Sequence, residues 1–67
     1  MENYYQYVII LRASKEERKD GKKDEIIQDL KSVMAKSEQV VGMMAVREIP
    51  EAFTDKLEQI DIVIRPF

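Results

Sequence analysis

Cysteine and histidine are both absent from this chain. Without cysteine there is no disulfide and no thiol nucleophile. Without histidine, the commonest general base at neutral pH is missing. Together the two absences remove the usual ligands of a structural zinc site. Glycine is confined to Gly21 and Gly42, so no Gly-rich phosphate loop can be drawn and nucleotide binding falls away. No apolar run approaches the ~20 residues of a membrane span. These absences leave no expectation of a metal, a cofactor or an enzymatic activity.

What remains is a short, heavily charged, moderately apolar chain. Its 67 residues are 45% hydrophobic and 36% charged, with a net charge of −2. The length allows one domain, 1–67, and a single core. The apolar fraction is too high for a disordered segment. A core this small contributes no more than about 3–5 kcal/mol. With disulfides and zinc excluded, association with a partner is the device left to make up the deficit. Absence of cysteine fits a reducing compartment. The stretch 4–11 lacks the basic flank and small-residue cleavage site of a signal peptide. The expectation is a cytoplasmic protein without a membrane role.

Taken in order, residues 4–13 are rich in aromatic and β-branched side chains and read as a strand. Tyr5, Tyr7, Ile9 and Leu11 share one face; Tyr4, Gln6, Val8, Ile10 and Arg12 share the other. Residues 14–23 carry no large apolar side chain and read as a solvated loop turning at Gly21. Ser14 and Glu17 have capping-box spacing, enough to cap a short exposed turn. Residues 24–37 place Ile26, Ile27, Leu30, Val33 and Met34 at helical spacing. Asp20 or Asp24 would cap that helix, and Lys36 suits its C-terminal end. Residues 39–49 read as a second strand, apolar on both faces, with Gly42 marking a bulge or a close backbone approach. Pro50 ends it, and residues 50–56 connect to a third strand over 57–65. There Ile60, Ile62 and Ile64 alternate with Gln59, Asp61, Val63 and Arg65.

The expected fold is therefore α+β, ordered β-α-β-β. It is a three-stranded mixed sheet with one helix packed on one face, half of a ferredoxin-like fold. One helix covers one sheet face. The opposite face would carry Val8, Ile10, Val40, Met44, Val46 and Val63, each worth about 1.5–2 kcal/mol on burial. Monomers rarely expose contiguous apolar patches of that size. The reading that follows is a small non-enzymatic interaction or regulatory protein, of the kind that includes inhibitory subunits and phage-type modulators of a larger host protein. It would self-associate as a dimer through that face.

A second reading competes. Arg12, Lys15, Arg18, Lys19, Lys22 and Lys23 bunch within one loop, interrupted by three acids. Tyr4, Tyr5 and Tyr7 on the adjoining strand could offer stacking faces to single-stranded nucleic acid. Against it stand a pI near 5.1 and the commonness of solvated charged loops. Asp61 lies among isoleucines. It is read either as an outward residue ion-paired to Arg47 or Arg65, or as a polar group that specifies an interface. Met34, Met43 and Met44 read as core fillers, with Met44 suited to a binding surface.

Overall fold

The computed structural model describes residues 2–67. It is a small α+β fold built on a three-stranded antiparallel sheet. Strand β1 runs Asn3–Leu11, helix α1 Lys15–Lys19, strand β2 Glu25–Ala35, helix α2 Glu38–Val46 and strand β3 Ile60–Pro66. A 3-10 segment, Glu51–Gln59, joins α2 to β3. The sheet order is β2-β1-β3, so β1 is central and pairs antiparallel with both neighbours. The expected order β-α-β-β, with a parallel crossover and the third strand in the middle, is corrected accordingly.

The first and third strands form, with shifted bounds: β1 ends at Leu11 where residue 13 was expected, and residues 57–59, expected in the third strand, belong to the 3-10 segment. The segments between them exchange roles. Residues 25–35 form a strand, not a helix, and residues 38–46 form a helix, not a strand. Ile26, Leu30 and Met34 are four apart, a spacing that satisfies a helical stripe and equally one face of a strand. Ile27 and Val33 pack against the core from the other face. Irregular pairing hid the simple alternation. Between Tyr7↔Lys31 and Leu11↔Glu25, β1 advances four residues while β2 advances six. Such bulges bend a strand and increase its twist.

Helix α2 overrides an unfavourable local composition of valine and glycine. Ser37 supplies its N-cap, with the hydroxyl accepting from the Val40 N–H. Val41 and Ala45, four apart, are both fully buried against the sheet. Tertiary packing, more than propensity, sustains a helix this short. Gly42 marks where α2 passes β3, since a Cβ there would meet Ile64 Cδ1 at 3.8 Å.

The core is small. Tyr7, Ile9, Ala35, Val41 and Ala45 are buried, ringed by half-buried Tyr5, Ile27, Val33, Ile49, Ile60, Ile62 and Ile64. It lies between α2 and the inner face of the sheet, which carries the odd-numbered residues of β1. At the far end of β1, the Arg12 N–H donates to the Gln59 carbonyl at 2.7 Å. The Gln59 amide in turn donates to the Arg12 carbonyl and to Glu17. These bonds fasten the 3-10 segment and α1 to one end of the sheet.

The 3.8 Å contact at Gly42 is ordinary van der Waals packing. Gly42→Ala should therefore stabilise the protein by about 0.5–1 kcal/mol, by removing backbone entropy from the unfolded chain without a clash. Chemical denaturation of the two proteins side by side checks this; a loss of stability would mean that α2 lies closer to β3 than described.

Candidate protein-interaction surface

Strand β1 is apolar on both sides, and α2 covers one of them. On the outer side Val8 pairs with Val63, Ile10 with Asp61 and Ile26, Gln6 with Arg65 and Ser32, and Tyr4 with Met34. Leu30 joins Val8 and Val63 around a shallow groove of about 260 Å³, bounded by Gln6 and Arg65. Ile26 is 61% exposed, Leu30 51% and Met34 48%. Tyr4 stacks at a tilt on Phe67 at the end of this face, with ring centroids 6.0 Å apart. Neither helix nor the 3-10 segment crosses it among the described residues.

Of the six residues expected on this face, the structure brings together Val8, Ile10 and Val63. Val40, Met44 and Val46 lie elsewhere, because their segment is α2. Val40 and Met44 occupy one flank of that helix. Val46 lies on the other, in a groove with Gln39, Gly42, Met43, Arg47 and Ile62. The outer sheet face instead gains Ile26, Leu30 and Met34. The sequence held a signal for them, since all three share strand parity. The helical stripe masked it.

Half of the cationic cluster, Arg12, Arg18 and Lys22, is engaged within the chain. Arg12 donates to Asp61 through Nε and Nη2, at 3.1 and 2.8 Å, and to Asp24 through Nη1 at 3.0 Å. Arg18 donates to Asp24 at 3.1 Å and to the Ala13 carbonyl. Lys22 lies 3.7 Å from Glu17. Lys15, Lys19 and Lys23 are exposed. Asp61 thus pairs with Arg12, where Arg47 or Arg65 had been expected. Arg65 bonds instead to the Gln6 side-chain oxygen.

The tyrosines do not converge. Tyr4 faces outward, while Tyr5 is half-buried on the inner face. Tyr7 is buried, and its hydroxyl donates to Glu48 at 2.5 Å. Lys31 donates to the other oxygen of that carboxylate, also at 2.5 Å. Lys31 and Tyr7 together hold the Glu48 carboxyl below its ordinary range. Burial, then the Glu48 bond, pushes the Tyr7 phenol up. Tyr4 and the loop that follows Leu11 lie at opposite ends of β1, on the order of 25 Å apart at strand spacing.

Among the described residues no cluster of three or more acidic side chains is placed to hold a metal ion. Among the same residues no helix is long and apolar enough to cross a membrane. Comparison of the chain with protein-family models, with curated proteins and with solved structures finds no match. The surface must therefore be read on its own chemistry.

Electrostatics at the loop end have a measurable consequence. The Ser14 backbone N–H, the Gln59 amide and the Ser14 hydroxyl region hold the Glu17 carboxyl down to about 2 from its ordinary 4.5. The Ala13 N–H and Arg12 lower Asp24 in the same direction. A carboxyl depressed in the folded state contributes stability that is present above its unfolded value and lost as pH falls through the folded one. Stability should thus decline from about pH 4.5 toward pH 2. Glu17→Gln should flatten that decline, as thermal melts across the range would show; an unchanged slope would mean that Glu17 is not held as described.

Proposed function

We propose that this chain is a small non-enzymatic interaction protein that self-associates through the outer face of its sheet, forming a dimer. The observation that carries this is the continuous apolar band Ile26, Ile10, Leu30, Val8 and Val63, over which the described residues lay no second layer. Its size supports the same reading. The chain exposes 5207 Å², whereas a compact monomer of 7.9 kDa exposes about 4,400 Å². The surplus, about 800 Å², matches what one partner contributes to an interface of standard size. The molecule is also long and thin, with extents of 46 × 21 × 15 Å and a radius of gyration of 13.3 Å. A compact chain of this length has a radius near ~11 Å.

Sheet-on-sheet packing at about 10 Å separation would give the outer face the second layer that α2 gives the inner one. With the sheet face occupied, the outer surface of α2 stays accessible. Its groove beside β3, with exposed Met43 and Val46, is the surface left for a larger protein partner. A regulatory role would be exercised there.

Nucleic-acid binding through the loop is the weaker reading. Arg12 and Arg18 are held by Asp24 and Asp61, which leaves the exposed lysines to meet phosphate, and Tyr7 cannot stack from inside the core.

Sedimentation of the wild type at high micromolar concentration should show a dimer. Leu30→Lys, placing two like charges at the centre of the face, should weaken it by roughly 100-fold or more. Met43→Lys on the opposite layer should leave it unchanged. A wild type that stays monomeric, or a dimer lost with Met43→Lys and kept with Leu30→Lys, overturns the assignment. Salt-sensitive binding to single-stranded nucleic acid, abolished by Lys19→Glu with Lys22→Glu, would favour the other reading.

A further inference from the structure

Two charged residues border the apolar band on β3, and both have unused hydrogen-bonding capacity directed to the same face. Arg65 donates through Nε to the neutral Gln6 side chain at 3.0 Å. Its two terminal nitrogens find no partner among the described residues. Asp61 accepts from Arg12 twice, both times through Oδ2. Its Oδ1 accepts nothing among the described residues. The two side chains flank Val63 on one strand, two residues to either side.

From this arrangement we infer that the second copy docks with its strands antiparallel to those of the first, and that Arg65 of each copy pairs with Asp61 of the partner subunit. The inference rests on the sheet-face reading above and adds its orientation. A two-fold axis across the strands at the level of Val8 and Val63 lays each strand over its own copy, running the opposite way. Residues equidistant from the axis then face each other. Arg65 lies two residues to one side of Val63 and Asp61 two to the other, about 7 Å each way at strand spacing. Across a ~10 Å intersheet gap, an extended arginine and an aspartate meet. Arg65 keeps its bond to Gln6, which orients the guanidinium, and presents both terminal nitrogens to the carboxylate. Asp61 keeps Arg12 on Oδ2 and receives Arg65 of the partner subunit on Oδ1. The same axis carries Tyr4, four residues from Val8, over Arg12, four residues the other way, a cation–aromatic contact.

The alternative axis, along the strands, lays β3 over β2. It places Arg65 over Ser32 of the partner subunit and buries two guanidinium groups against neutral hydroxyls. A charge enclosed without a counter-charge is costly, so the antiparallel arrangement is the one selected.

Charge exchange tests this by sedimentation equilibrium. Arg65→Asp alone and Asp61→Arg alone should each weaken the dimer at least tenfold. The double variant, Arg65→Asp with Asp61→Arg, should return to within about threefold of wild type, because the pair is re-formed in reverse. A double variant no tighter than the singles overturns the orientation. So do single variants as tight as wild type. Should Asp61→Arg unfold the chain by releasing Arg12, Asp61→Asn and Arg65→Gln measure the same coupling: the double must lose less than the two single losses combined, and strict additivity overturns the pairing. Leu30→Lys keeps the two levels distinct. If the wild type is a dimer and Leu30→Lys dissociates it while charge exchange fails, the face stands and the orientation falls. A wild type that stays monomeric removes both.

Discussion

A three-stranded sheet has two faces, and this chain folds one layer of helix. That single inequality organises the molecule. Strand β1 is apolar toward α2 through Tyr7 and Ile9 and apolar away from it through Val8 and Ile10. Being central, it takes hydrogen bonds on both edges, so its backbone is satisfied wherever the side chains go. The inner face acquires Val41 and Ala45 as its cover. Among the described residues the outer face acquires no covering layer, only the contact of Phe67 with Tyr4. A core of five buried side chains is close to the least that can hold a domain of this size. Further burial on the outer face would therefore be a large share of the total stability, and association and folding would be coupled.

Charge is used to fasten the ends of this thin layer. At one end Asp24 gathers Arg12, Arg18 and the Ala13 N–H, and Glu17 gathers Ser14, Gln59 and Lys22. On the inner face, beside the core, Glu48 joins Lys31 to the buried Tyr7. Each pair is partly exposed, and pairs of that kind contribute little singly. Their joint effect is positional. They hold α1 and the 3-10 segment against the sheet where there are few apolar contacts to do so. The two arginines of a segment that looks cationic in sequence are thus occupied structurally, by Asp24 at the start of β2 and Asp61 on β3.

The sequence exposed the parts of this design that depend on strict alternation. Strand β3 reads Ile60, Ile62, Ile64 without interruption, and β1 separates into two faces by parity. Both were legible, and with them half of the outer patch. Strand β2 was not, because a spacing of four fits two periodicities and the bulges opposite Ile9 and Ile10 blur the remaining alternation. Helix α2 was not, because Val40, Val41 and Val46 favour a strand locally while burial of Val41 and Ala45 against β1 and β3 decides otherwise. Ser37 was the one local signal for its start. The two misreadings compensate: one long helix and three strands were expected between residues 4 and 65, and the structure contains three strands with the middle helix and strand exchanged. The expectation of an uncovered sheet face survives that exchange, since it depends on counting layers and not on which segment supplies them.

Why the face rather than an edge should meet a second copy follows from the strands at the margins. Strand β2 places Glu25, Asp29, Lys31 and Lys36 along or beside its free edge, and β3 ends at Pro66, which has no N–H to extend a ladder. Charged and proline-bearing edges oppose strand addition. The outer face has no such protection between Ile26 and Val63. Its charges stand at defined positions, one on each side of Val63 along β3, and are opposite in sign. A wholly apolar face could slide in register or rotate by a strand without losing contact area. Opposite charges at fixed separation penalise every arrangement that places like beside like or leaves either one enclosed and unpaired. Arg65 and Asp61 thus reduce the many ways two apolar sheets can meet, and they do so on the strand whose register the alternation of isoleucines fixes most firmly.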